Sequence, residues 1–239
     1  MADGIYAAAS GMVAQQTRID AIANDLANAD TPGYKSQRVA FKDLVYGSEG
    51  GVAVGSGAAA VDAGRSSAEG GLQSTGDPLN VAITGPGFFQ IRRIDGSVGL
   101  TRDGSFQLDS SGGLVTTDGE RLVPPITVPK GVQPSSVSIA QDGTVTAGGR
   151  TLGKIQVVNV PAPGALLAVG GSTYQTTAAS GNATPVQGAK LEQSMLEGSD
   201  VDTASAMTEL LDAQQSYSLA SRAIQTQDQL LQIANDIKR

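Results

Sequence analysis

Leu26-Ala27-Asn28-Ala29-Asp30-Thr31-Pro32-Gly33-Tyr34-Lys35 is the stretch that decides how this chain folds. Before it, apolar residues repeat at helical spacing. Within it a helix must end, because Pro32 disfavours a helical residue before it and Gly33 favours a left-handed turn position. Pro then Gly between Thr31 and Tyr34 is the composition of a type II turn, and Lys35 is expected to begin an extended strand. Asn28, Thr31, Pro32, Gly33, Tyr34 and Lys35 are therefore read as one turn motif, setting the angle at which the chain leaves the helix.

Ile5, Met12, Ile19 and Leu26 lie seven apart on the N-terminal side, with Ala8, Ala9 and Ile22 in the second seam position. This heptad pattern runs for about 22 residues, or roughly 33 Å of helix. A single helix of this kind is marginal alone and needs a partner face. The partner is at the other end of the sequence. Leu210, Tyr217, Ile224 and Leu231 are also seven apart, with Ala213, Ala220 and Ala234 three residues further on. Ser199-Asp200-Val201-Asp202 offers a capping group and acidic side chains at the start of this helix, and Lys238 and Arg239 suit its end.

Between the two heptads the period changes. Val39, Phe41 and Leu44-Val45-Tyr46 form a short ordered segment, followed by a Gly-rich connector from Gly47. Gly55-Ser56-Gly57 with Ala60 formally fits a dinucleotide fingerprint, but no adequate strand precedes it and Gly64 would interrupt the helix it requires. From Gly71 to Val160, pairs such as Val81 and Ile83, Phe89 and Ile91, Phe106 and Leu108, and Val137 and Ile139 alternate as half-buried strands do. Asp95-Gly96, Asp103-Gly104, Asp118-Gly119 and Asp142-Gly143 supply the turns. Residues 161–185 read as loop with a strand near Tyr174. The expected fold class is α+β: N- and C-terminal heptad helices pairing as a coiled-coil-like unit, with an inserted all-β central domain. The expected divisions are 1–46, a connector at 47–70, a β-rich domain at 71–189 and a C-terminal helix unit at 190–239.

Composition removes most chemistry. The 239 residues include no histidine and no cysteine, which excludes Ser-His-Asp and Cys-His catalysis, zinc-thiolate sites and disulfides. A formal charge of −7 argues against nucleic acid as a partner. No apolar run reaches the roughly 18 residues of a membrane span, and Met1-Ala2-Asp3-Gly4 does not open like a cleaved secretory signal. Most aspartates precede glycine in turns, and the 4% aromatic content is low for a catalytic cleft. No catalytic, cofactor or metal residue is assigned, and an enzyme is not expected. A secreted β-rich adhesin or surface module with coiled-coil ends remains as the alternative.

Five blocks in order resemble the flagellar basal-body rod and hook protein family. They are Ala23-Asn24-Asp25-Leu26-Ala27-Asn28 with Thr31-Pro32-Gly33-Tyr34-Lys35; Phe41-Lys42-Asp43-Leu44; Gly76 to Ile83 with Gly85-Pro86-Gly87-Phe88-Phe89; Thr101-Arg102-Asp103-Gly104-Ser105-Phe106; and Leu196 to Asp202. The family usually shows Asn where this chain has Asp25, Asp200 and Asp202. The chain is shorter than hook proteins and longer than rod subunits lacking a central domain. Its third and fourth blocks look more like those of the distal rod branch, while a short connector after Tyr46 keeps the proximal branch of similar size in view. The resemblance implies a structural subunit of the basal body that polymerises helically into a hollow drive shaft carrying torque to the hook. It implies a homo-oligomeric tube, contacts with other rod and hook subunits and surrounding ring proteins, and passage through the flagellar export apparatus without a cleaved signal. Ile5, Met12, Ile19, Ile22, Leu26, Leu210, Tyr217, Ile224 and Leu231 are then the expected assembly interface.

Overall fold

The computed structural model describes residues 2–44, 47–49, 52–55 and 57–237. They form two compact units. The first unit comprises Met1–Ala27, Gln37–Gly64 and Asp202–Arg239. Its frame is two helices, α1 at Ala2–Ala27 and α2 at Thr203–Ile237. Asp202 caps α2, its carboxylate accepting Ala204 N–H at 3.2 Å and the Ser205 hydroxyl at 2.7 Å.

The helices pack antiparallel. Gly4 lies against the Gln227 amide, while Arg18 Nη2 reaches Glu209 Oε2 at 3.4 Å, so ascending one helix descends the other. On α2 the less exposed positions include Ala206, Leu210, Ala213, Tyr217, Ala220, Ile224 and Gln227, in alternating steps of four and three, with Ser221 beside them. On α1, Ile5, Ala8, Met12, Gln15, Ile19, Ile22 and Leu26 repeat the same rhythm. Small residues punctuate both series, and Ala213 is wholly buried. Strands Gln37–Asp43 and Ala58–Arg65 pair with each other. The Ser10 hydroxyl accepts Ala58 N–H at 3.2 Å, and the Asp25 carboxylate accepts Gln37 N–H at 3.0 Å.

This corrects two local expectations. Lys35 precedes the strand, which starts at Gln37. Ala58–Arg65, which composition reads as connector, is a strand, because pairing to Gln37–Asp43 overrides the weak β propensity of alanine and glycine. The fingerprint glycines precede that strand rather than a helix. Val45, Tyr46, Lys238 and Arg239 lie outside the described residues, as do the side chains of Leu231 and Ala234.

The second unit comprises Asn28–Ser36 and Arg65–Val201. A nine-stranded antiparallel sheet has its longest strand, Phe88–Arg92, between Val98–Thr101 and Arg121–Leu122, with Val157–Asn159 also pairing to it. Residues 161–185 contribute a hairpin, Leu167–Gly170 with Thr173–Gln175, that extends this sheet beyond Val98–Thr101. A three-stranded meander at 137–154 and the pairs Lys190–Gln193 with Val81–Thr84 and Met195–Glu197 with Leu72–Ser74 complete the unit.

The sheet is covered on both faces rather than half-buried. Phe89 and Val157 enter a large cluster with Val81, Ile83, Phe106, Leu114, Ile126 and Val145. Their chain neighbours Phe88 and Val158 enter a second cluster with Leu100, Leu166 and Tyr174. Adjacent strand residues point to opposite faces, so two apolar neighbours mean two cores.

Candidate functional site

In the second unit the opening stretch closes on itself and then on the sheet. Thr31 N–H donates to Asn28 O at 3.1 Å, and Tyr34 N–H to Thr31 O at 3.3 Å, the closure of a β-turn. Gly33 has φ +65°, and a Cβ built there would lie 2.5 Å from the backbone of Arg102 and Asp103. The turn is therefore packed directly against the Thr101–Phe106 block, where no side chain fits. A valine at Gly33 would meet the same backbone and is expected to cost folding stability.

Beyond the turn, three charges are buried together. Lys35 Nζ donates to Glu197 Oε1 at 2.6 Å and to Ala68 O at 2.5 Å. Gly70 N–H donates to the same Glu197 oxygen at 3.1 Å. Arg102 Nη1 stands 3.2 Å from Glu197 Oε2 and donates to Ile83 O at 3.4 Å. The Oε2 contact is ionic only: that atom has no hydrogen-bond partner among the described residues. Side-chain exposure is 4% for Lys35, 1% for Glu197 and 4% for Arg102, and the guanidinium lies 5.8 Å from the Phe88 ring centre. Removing one member of such a buried set leaves an uncompensated charge and costs about 3–5 kcal/mol.

A second anchor lies alongside. Ser36 donates its N–H (2.7 Å) and hydroxyl (3.1 Å) to Asp200, and Asp200 N–H returns to Tyr34 O at 3.3 Å. Arg65 Nη1 donates to Lys35 O at 3.2 Å and lies over the Tyr34 ring. The Tyr174 hydroxyl meets the Lys35 main chain, and burial pushes its pKa up to about 12 against the pull of Arg65. Asp25, Asp200 and Asp202 all act as acceptors, a role that an amide oxygen also fills.

In the first unit, Ile5, Met12, Ile19, Leu26, Leu210, Tyr217 and Ile224 are half-buried and Ile22 is buried. Sequence reasoning passed over a separate apolar set: Tyr6, Val13, Met207, Leu211, Leu219, Leu230 and Ile233 are exposed. The signal was present, since Tyr6 and Val13 are seven apart and Met207 and Leu211 four apart, beside the seam. A shallow groove on α2 is lined by Leu211, Gln214, Gln215, Ser218, Leu219 and Arg222. Among the described residues no group of acidic side chains is placed to hold a metal.

Three family descriptions match in chain order: flagella basal body rod protein at 5–35, flagellar hook protein FlgE/F/G D1 domain at 82–147, and flagellar basal body rod FlgEFG protein C-terminal at 192–237. The flagellar basal-body rod protein FlgG of Borreliella burgdorferi is 36% identical over 264 aligned positions, covering 100% of both chains. This chain belongs to the flagellar basal-body rod protein family.

The FlgG of Bacillus subtilis is likewise 36% identical over 270 positions and 100% of both chains. The rod protein FlgF of Mesorhizobium japonicum is 29% identical, covering 91% of this chain and 90% of its own. Within the rod protein family the match thus favours FlgG, in agreement with the leaning toward the distal rod branch. These relatives are rod proteins rather than enzymes, and they lend no support to an adhesin. The buried ion centre takes one residue from each matched segment: Lys35 from the first, Arg102 from the second and Glu197 from the third.

Proposed function

We propose that this chain is a structural subunit of the flagellar basal-body rod, polymerising helically into the hollow shaft that carries motor torque to the hook. The observation that carries this reading is 36% identity to rod proteins over the full length of both chains. The half-buried rhythm on α1 and α2 supports coiled-coil-like pairing within a subunit. The exposed set Tyr6, Val13, Met207, Leu211, Leu219, Leu230 and Ile233 then meets neighbouring subunits, because a stripe of this size on a helix pair calls for a partner. The described residues expected as the assembly interface then serve the seam within a subunit, and the exposed set serves contacts between subunits. Neighbours are further copies of the chain and other rod and hook subunits, with ring proteins around the shaft. The subunit reaches them through the flagellar export apparatus, and its place is the basal body.

Electron microscopy of concentrated protein tests this. Hollow filaments are expected from the unaltered chain. Leu211→Asp with Leu219→Asp should abolish them while leaving the monomer's melting temperature unchanged, whereas Ile224→Asp should lower both. Filaments that persist in the double variant would remove the outer stripe from the interface, and an unaltered chain that stays monomeric at every concentration would remove the homopolymer.

A further inference from the structure

Two features of the second unit are left over once its cores are closed. The first is a knob. The hairpin between Phe88–Arg92 and Val98–Thr101 is tied by Arg93 N–H to Ser97 O and by Gly96 N–H to Arg93 O, both at 2.9 Å. The Asp95 carboxylate fixes the tip further, accepting the Ser97 N–H at 2.8 Å and the Ser97 hydroxyl at 2.6 Å. On this ordered turn stands Ile94, 86% exposed, with Val98 across the turn at 44%. Turns favour Gly, Pro, Asn, Asp and Ser, and so exposed an isoleucine gains little packing from its own chain. The second feature is a socket. A pocket of about 380 Å³ has Ile155, Val157, Val186 and Leu191 among its walls, with Asp142 and Lys154 at its rim.

We propose that this pocket receives Ile94 of a second copy of the chain. The charges favour that occupant. The hairpin carries a cation and an anion around its isoleucine, Arg92 and Asp95, and the pocket carries the complementary pair beside its apolar walls. Lys154 and Asp142 meet only at 4.0 Å, with 60% and 62% of their side chains exposed, which leaves Lys154 able to take Asp95 and Asp142 able to take Arg92. Among the described residues the Arg92 guanidinium has no ion pair, and Asp95 holds Arg93 at 3.3 Å in an exposed pair that exchanges at little cost. Affinity comes from the isoleucine, whose burial is worth roughly ten-fold or more, and the tied turn lowers the cost of ordering it. Ile94 is not one of the pocket's own walls. Knob and socket therefore stand at different places on one unit and join copies head to tail, a contact that extends into an open filament where its rotation does not close. Such a joint deepens, and rests on, the homopolymer proposed above.

The chain has no cysteine, so single introduced thiols report on this contact without interference. Full-length Val98→Cys protein, charged with a bismaleimide and freed of excess reagent, keeps Ile94 and carries the linker beside it. Added to full-length Gln187→Cys protein, whose thiol stands at the pocket wall, it should couple roughly ten-fold faster than to Ser111→Cys protein, whose thiol is exposed on a turn away from the pocket. Adding Ile94→Ser to the charged chain should abolish that advantage and leave its melting temperature unchanged. Equal coupling to the two acceptors, or an advantage that survives Ile94→Ser, overturns the knob and socket. The coupling rate is read without any filament, so the two proposals fail separately. Filaments with equal coupling remove this joint alone, and fast, Ile94-dependent coupling in a chain that never forms filaments upholds the joint and removes the shaft.

Discussion

Replacing Gly33 by alanine sets two costs on one residue, and a second glycine separates them. At φ +65° a Cβ costs about 1–2 kcal/mol in backbone strain alone. Its overlap with the Arg102–Asp103 backbone forces a shift of main chain rather than of a flexible side chain, adding about 1–3 kcal/mol. Gly119, at φ +82° with nothing within 4 Å of where a methyl group would stand, carries the first cost without the second. Gly33→Ala should therefore destabilise the second unit by about 2–5 kcal/mol and Gly119→Ala by about 1–2 kcal/mol. With a urea dependence of about 2 kcal/mol per molar, the midpoints fall by about 1–2.5 M and about 0.5–1 M respectively. Near-ultraviolet circular dichroism, to which buried Tyr34 and Tyr174 contribute, follows the transition. Equal midpoints for the two variants would refute the close packing of the turn on the Thr101–Phe106 block.

Phe89→Ala removes a fully buried ring stacked edge-on against Phe106 at 5.2 Å, and should cost about 3–5 kcal/mol, seen as a melting temperature about 6–20 °C lower by calorimetry. The Ser111 hydroxyl and the Gly113 N–H hold the Asp109 carboxyl down at about 2, and bonds from Ser97 and Thr144 lower Asp95 and Asp142. A carboxyl depressed in the folded state stabilises it fully above the unfolded value near 3.8 and loses that contribution as pH falls toward 2. Urea midpoints should drop across that window, and Asp109→Asn should flatten the drop. Asp202→Ala removes the cap of α2 and should cost about 0.5–2 kcal/mol, read as lost helical signal in far-ultraviolet circular dichroism on mild heating.

What the sequence made legible was local. Ile5 to Leu26 and Leu210 to Leu231 announce helices because heptad spacing is a short-range property, and Pro32-Gly33 announces a turn because its backbone preferences are intrinsic. Ala58–Arg65 was not legible, since alanine and glycine become strand only when a partner outside the segment offers hydrogen bonds. Nor was burial on both faces at Val81-Ala82-Ile83 and Phe88-Phe89, where alternation suggested one wet face. The ion centre was hidden for a related reason. Lys35, Arg102 and Glu197 each look like a solvated surface charge, and only the fold brings residues 162 positions apart to 2.6 Å.

The bond between Ser66 N–H and Ser36 O has an evolutionary reading. It pins side by side the points where the chain leaves the β unit and returns to it, and Leu44 N–H to Gly57 O at 2.9 Å pins the excursion again further out. Lengthening a segment clamped this way costs only the slow logarithm of loop closure, about 0.6 kcal/mol per doubling. Selection can therefore shorten or extend the chain between Leu44 and Gly57 without disturbing the β unit, and a foreign domain grafted there should leave that unit's stability almost unchanged.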